Sequence, residues 1–67
     1  MSTLEIIRIR NGEDYTTATQ SQHDSVAAAN ASLTTGARKF NGEVVQNSGT
    51  SGDLYRKGIR WGRYIIR

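Results

Sequence analysis

LEIIRIR-NGED-YTTAT, residues Leu4 to Thr19, is the stretch that decides the fold. From Ile7 onward the residues alternate strictly. Ile7 and Ile9 fall on one face, Arg8 and Arg10 on the other, which is the pattern of a half-buried strand. Ile6 sits on the arginine side, so that face is not wholly polar. Asn11-Gly12, followed by Glu13 and Asp14, marks a tight turn, because both residue types tolerate positive φ. Tyr15 to Thr19 is rich in residues that suit a pleated surface. Residues 4–19 therefore predict an antiparallel hairpin.

The next stretch, SQHDSVAAANASLTTG (residues 21–36), changes character. Ser21 with Asp24 three residues on resembles a capping box, and Asp24 can itself cap. The alanines favour helix. Gly36 is placed to end it in the left-handed conformation. Val26, Ala29 and Leu33 share one face at helical spacing, a thin core stripe with two large residues. The remaining surface (Ala27, Ala28, Asn30, Ala31, Ser32) is smooth and uncharged.

Lys39 to Val45 reads as a strand region, with Asn41-Gly42 as either a hairpin turn or a bulge. Gln46 to Asp53 (QNSGTSGD) reads as a flexible loop. Leu54–Arg56 and Ile59–Ile66 read as strands, with Gly58 and Gly62 at turn or bulge positions. The order predicts a two-layer α+β fold: one antiparallel sheet of four or five strands and one helix (β-β-α-β-β, with a further β). At 67 residues the chain is one domain, residues 1–67.

Composition narrows the function. No apolar stretch is long enough to cross a bilayer, and the first ten residues do not read as a secretory signal. No membrane association is expected, and a cytoplasmic location is the default. There is no cysteine, so no disulfide and no thiolate ligand for zinc. The single histidine, His23, has only Asp24 beside it in sequence, on a different side of a helix start. Glu5, Glu13, Asp14, Asp24, Glu43 and Asp53 lie mostly at or near expected turns and form no paired-carboxylate spacing. Ser48–Gly52 lacks the lysine and following helix of a phosphate loop. The chain reads as a non-enzyme with no metal and no cofactor.

The net charge is +3, carried by seven arginines and two lysines against six acids. Arginine presents a planar fork suited to phosphate or carboxylate. The last fourteen residues, LYRKGIRWGRYIIR, hold five basic side chains and no acid. Arg56, Lys57, Arg60, Arg63 and Arg67 interleave with Tyr55, Trp61 and Tyr64, and Arg8 and Arg10 extend the patch if the first strand lies beside the last. These seven cations are the candidate binding face, with Tyr55 and Tyr64 as candidate aromatic contacts and Trp61 as a core residue. The partners implied are nucleic acid, a nucleoprotein or an acidic protein surface.

Phe40-Asn41-Gly42-Glu43-Val44, then Leu54-Tyr55, then Gly58-Ile59-Arg60-Trp61, following a strand–helix opening, resembles small phage-encoded inhibitors of the anti-CRISPR kind. The resemblance is to a sheet-plus-one-helix inhibitor of type I-F surveillance complexes. It implies a protein of the host cytoplasm whose basic side chains, with Arg56, Lys57 and Arg60 as counterparts, occupy a nucleic-acid-binding surface on a large nucleoprotein. The residues alone support a second reading. In it the chain is a structural or virion component, a homo-oligomer formed through the alanine-rich helix face or an open sheet edge.

Overall fold

The computed structural model describes residues 1–67, in the order β1 (Ser2–Arg10), β2 (Glu13–His23), α1 (Val26–Lys39), β3 (Gly42–Ser48), β4 (Ser51–Arg56) and β5 (Ile59–Ile66). The five strands form one antiparallel sheet, ordered β2-β1-β5-β4-β3. The architecture is α+β, with a single sheet and a single helix, as the residue patterns predict. The first and last strands are neighbours, with Leu4 opposite Ile66 and Arg8 opposite Gly62.

The hairpin turns follow from local chemistry. Asn11 (φ 55°) and Gly12 (φ 80°) both take positive φ, as do Lys57 (φ 53°) and Gly58 (φ 78°). Two consecutive left-handed residues match the right-handed twist of the flanking strands. The first hairpin is longer than its sequence suggests. β2 continues through Gln20, Ser21, Gln22 and His23, paired as far as Ser2 opposite His23. Neither Ser21 nor Asp24 caps the helix. Ser25 does so, with extended backbone (φ −155°) and its hydroxyl accepting the Ala28 N–H at 3.1 Å.

The helix also runs past Gly36 to Lys39. Asn41, at φ 55°, is the left-handed residue that turns the chain into β3. Asn41-Gly42 is thus neither hairpin nor bulge but the exit from the helix. The Phe40 N–H donates to the Ala37 carbonyl at 3.2 Å and the Asn41 N–H to that of Arg38 at 3.3 Å. Arg38 and Lys39 in the last turn favour the partial negative charge there. The supposed loop at 46–53 is instead a hairpin, with only Gly49 and Thr50 between β3 and β4. The Ser48 and Ser51 hydroxyls meet across it at 2.9 Å. A polar composition obscured two strand ends whose ladder bonds come from the backbone.

The core lies between the helix and one face of the sheet. It consists of Leu4, Ala29, Leu33, Leu54, Tyr64 and Ile66, with Ile6 and Val44 packed against it. In β1 this reverses the expected face. Leu4 and Ile6 point toward the helix, so Arg8 lies on the helix side, while Ile7 and Ile9 belong to the uncovered face. Alternation shows that a strand has two faces; it does not say which one a helix will cover. Val26, expected in the stripe, is 36% exposed, so Leu33 is the helix's one large buried anchor.

The aromatic residues of the tail exchange roles. Tyr64 is 1% exposed and belongs to the core, whereas Trp61 is 37% exposed. Tyr64 is therefore no surface contact and Trp61 no core residue. The cause is local. Leu54 pairs with Gly62 but Tyr55 with Arg60, so Trp61 is the extra residue of a bulge in β5. Tyr64, in the regular part of the strand, lies over Gly52 of β4, where the missing side chain makes room for the ring. Burial raises the Tyr64 phenol above its ordinary pKa, and its hydroxyl has no hydrogen-bond partner.

Candidate polyanion-binding end

The seven basic residues singled out in the sequence do not form one wall. Three of them lie on the uncovered face of the sheet, each against a carboxylate. Arg60 meets Asp53, with Nη2 2.6 Å from Oδ1. Arg67 Nη1 lies 3.0 Å from Glu5 Oε1. Arg63 reaches from β5 across β1 to Asp14 of β2 in a two-pronged pair, Nε to Oδ1 at 2.8 Å and Nη2 to Oδ2 at 2.6 Å. Sequence distance hid these partners: Arg63 and Asp14 are 49 positions apart, Arg67 and Glu5 62. They meet because β1 and β5 are adjacent. Tyr55, half-buried in β4 opposite Arg60, belongs to the same face.

These pairs make the uncovered face a closed electrostatic unit. The hydrogen bond from Arg63 holds the Asp14 carboxyl below its ordinary pKa of 3.8, with the arginine's charge adding to it. Asn47 donates to Asp53 Oδ2 at 3.0 Å and Arg60 to Oδ1 at 2.9 Å, and together they lower the Asp53 carboxyl. A carboxyl whose pKa is lowered by folding stabilises the fold above its unfolded pKa, and that contribution is lost as pH falls through the folded value. Stability to urea is therefore expected to hold from neutral pH down to about pH 4 and to decline below it. The double variant Asp14→Asn, Asp53→Asn should show a shallower acid decline, measured by urea midpoints across pH 2–7. An unchanged profile would remove these two carboxylates from the account.

The other cations behave differently. Arg8, Arg10, Arg38, Lys39, Arg56 and Lys57 are exposed and enter no ion pair. The topology collects them at one end. Arg8 and Arg10 close β1, and Arg56 and Lys57 close β4 and open its turn into β5. Arg38 and Lys39 end the helix, two residues before β3 begins opposite Arg56. Glu13 and Glu43 are the acids at this end, and neither is paired. Arg10 lies over the Tyr15 ring, 5.3 Å from its centre. Arg38 and Lys39 were missed in the sequence reading because they sit outside the tail. Their position at the helix end, with β3 beginning beside Arg56, is the signal that could have found them.

Between the helix and the β1 side of the sheet the same end opens into a groove of about 780 Å³. Ile6, Leu33 and Leu54 lie along it, with Phe40 and Trp61 exposed and Arg8 and Arg56 among its lining residues. The helix is too thin a cover to fill this space, since its sheet-facing surface is mostly alanine and glycine. On the far side of the helix a smaller cavity of about 330 Å³ is lined by Asn30, Thr34, Gln46 and Tyr64 among others. His23, at the opposite end, has its ring 2.9 Å from the Ser21 hydroxyl.

Fold and site together define a small ββαβββ domain with one cationic, aromatic-bearing end. No family model matches the chain, and no curated protein or solved structure matches it. No helix is long and apolar enough to cross a membrane.

Proposed function

We propose that this chain is a non-catalytic binding module that engages nucleic acid, free or carried in a nucleoprotein, through the cationic end of its sheet. One observation carries the reading. Six basic side chains without an ion pair gather at one end, while the three arginines of the uncovered face are each neutralised. An unneutralised cation pays no exchange cost when it meets a phosphate, whereas a paired arginine must first give up its carboxylate. The binding residues are thus Arg8, Arg10, Arg56 and Lys57 from the original set, joined by Arg38 and Lys39. Arg60, Arg63 and Arg67 are each occupied by a carboxylate of the sheet. A chain that occupies a host nucleoprotein in this way acts as an inhibitor, the role implied by its resemblance to small phage proteins.

The test is a titration of labelled oligonucleotides against the protein at several salt concentrations. With four to six phosphates engaged, log K should fall against log[salt] with a slope of about −3 to −5. The variant Arg10→Glu, Arg56→Glu, Lys57→Glu should bind at least tenfold more weakly and show a flatter slope. Arg60→Gln should leave affinity within about twofold. Full-strength binding by the triple variant would overturn the proposal.

Self-association through a sheet edge is the competing reading. β2 is an outer strand of 11 residues, exposed along nearly all its length. Two register shifts against β1, at Ala18 and Tyr15, break its regularity, which is how natural edges are blunted against pairing.

A further inference from the structure

We infer that the groove beside the helix takes unpaired bases, so that the module prefers single-stranded nucleic acid to duplex. The inference rests on the proposed function and specifies its ligand.

The groove has two properties that do not ordinarily occur together. Its walls are apolar and carry two exposed aromatic rings, Phe40 at 66% and Trp61 at 37% exposure. Its lining also includes two guanidinium groups, Arg8 and Arg56, that no carboxylate neutralises. An aliphatic occupant would use the walls and leave the arginines idle. A duplex would use the arginines and leave the walls idle, because its base faces are stacked inside and only edges and phosphates reach the surface. An unpaired strand uses both. Its bases offer flat apolar faces for Trp61 and Phe40, and its backbone carries a phosphate at each step for Arg8 and Arg56.

A second copy of the chain fits less well. Two-fold pairing of this end would bring each rim of six cations against its own image, with only Glu13 and Glu43 to offset them. The position of Trp61 points the same way. A bulge is an irregularity that re-aims a side chain, and here it turns the only tryptophan of the chain into the groove beside Arg56, where regular alternation would have left it on the uncovered face with Arg63 and Ile65. Beyond the rim, Arg10 and Lys57 continue the positive track. The molecule measures 32 × 21 × 19 Å, so a short stretch on the order of four nucleotides spans this end.

Because Trp61 is the only tryptophan, its fluorescence reports on the groove alone. The experiment compares a 12-nucleotide oligothymidylate with a 12-base-pair blunt duplex at equal salt, following both affinity and tryptophan emission. The single strand should bind at least fivefold more tightly and quench the emission. Trp61→Ala should weaken single-strand binding roughly tenfold and leave duplex binding unchanged, while Trp61→Phe should retain most of it. Phe40→Ala, at a more exposed position, should show a smaller loss in the same direction, with circular dichroism verifying that each variant folds. Equal affinity for both ligands with unmoved emission would overturn this inference and leave the proposed function standing. Binding of neither ligand at 50 mM salt would overturn both. Quenching by an acidic amphipathic peptide, with no response to the oligonucleotide, would assign the groove to a protein partner and overturn both as well.

Discussion

Leu33→Ala is expected to destabilise the chain by about 2–5 kcal/mol, enough to unfold much of the population at 25 °C. Leu33 is 5% exposed and is the only large side chain through which the helix is anchored; its neighbour on the stripe, Ala29, is fully buried but small. The core comprises six buried residues, so removing three heavy atoms from its centre leaves a void that few neighbours can collapse to fill. The same loss unfolds a larger share of the molecules than it would in a bigger domain, because total stability scales with size at roughly 0.05–0.15 kcal/mol per residue. The helix is also unable to survive on its own, since isolated helices of this length are marginal in water. Urea denaturation followed by far-ultraviolet circular dichroism measures the change. A loss below about 1 kcal/mol would mean that the helix is held by something other than this contact.

Gly52→Ala is expected to cost about 3 kcal/mol, from overpacking instead of a cavity. A Cβ at this position would lie 2.3 Å from the Val45 carbonyl oxygen, 2.7 Å from Tyr64 Cε1 and 2.8 Å from Tyr64 Oη. The nearest of these is backbone of the adjacent strand β3, which cannot retreat without breaking the ladder between Gln46 and Gly52. The tyrosine ring is itself 1% exposed and has nowhere to go. The measurement is the thermal midpoint, expected to fall by at least about 10 °C for a domain of this size. Gly49→Ala serves as the control. It lies in the same glycine-rich stretch, yet its Cβ would meet nothing within 4 Å, and its midpoint should move little. Equal behaviour of the two variants would show that Tyr64 does not pack as described.

The contrast between Gly49 and Gly52 illustrates how far sequence reading reaches. Both sit in QNSGTSGD and look alike as loop punctuation, but only one lies beneath a buried ring contributed by another strand. The exchange between Trp61 and Tyr64 has the same origin. Side-chain size predicts that tryptophan is buried; the bulge that sets its direction depends on how β5 registers against β4. The binding end shows the limit most sharply. Arg56, Lys57, Arg8 and Arg10 were legible because they fall at strand ends flanking recognisable turns. That Arg60, Arg63 and Arg67 are already neutralised was not legible, since their carboxylates come from β4, β2 and β1.

Local chemistry written into the chain determined the elements themselves: the Asn11-Gly12 turn, the alanine-rich helix and the alternating first and last strands. These depend on interactions within a few residues, where backbone preference and period suffice. Strand order, the face that receives the helix, the split of the arginines into paired and free sets, and the groove beside Trp61 were decided only in three dimensions. They depend on which residues become neighbours when β5 settles between β1 and β4. Alternation and charge count are silent on that, because a strand carries the same pattern whichever partner it finds.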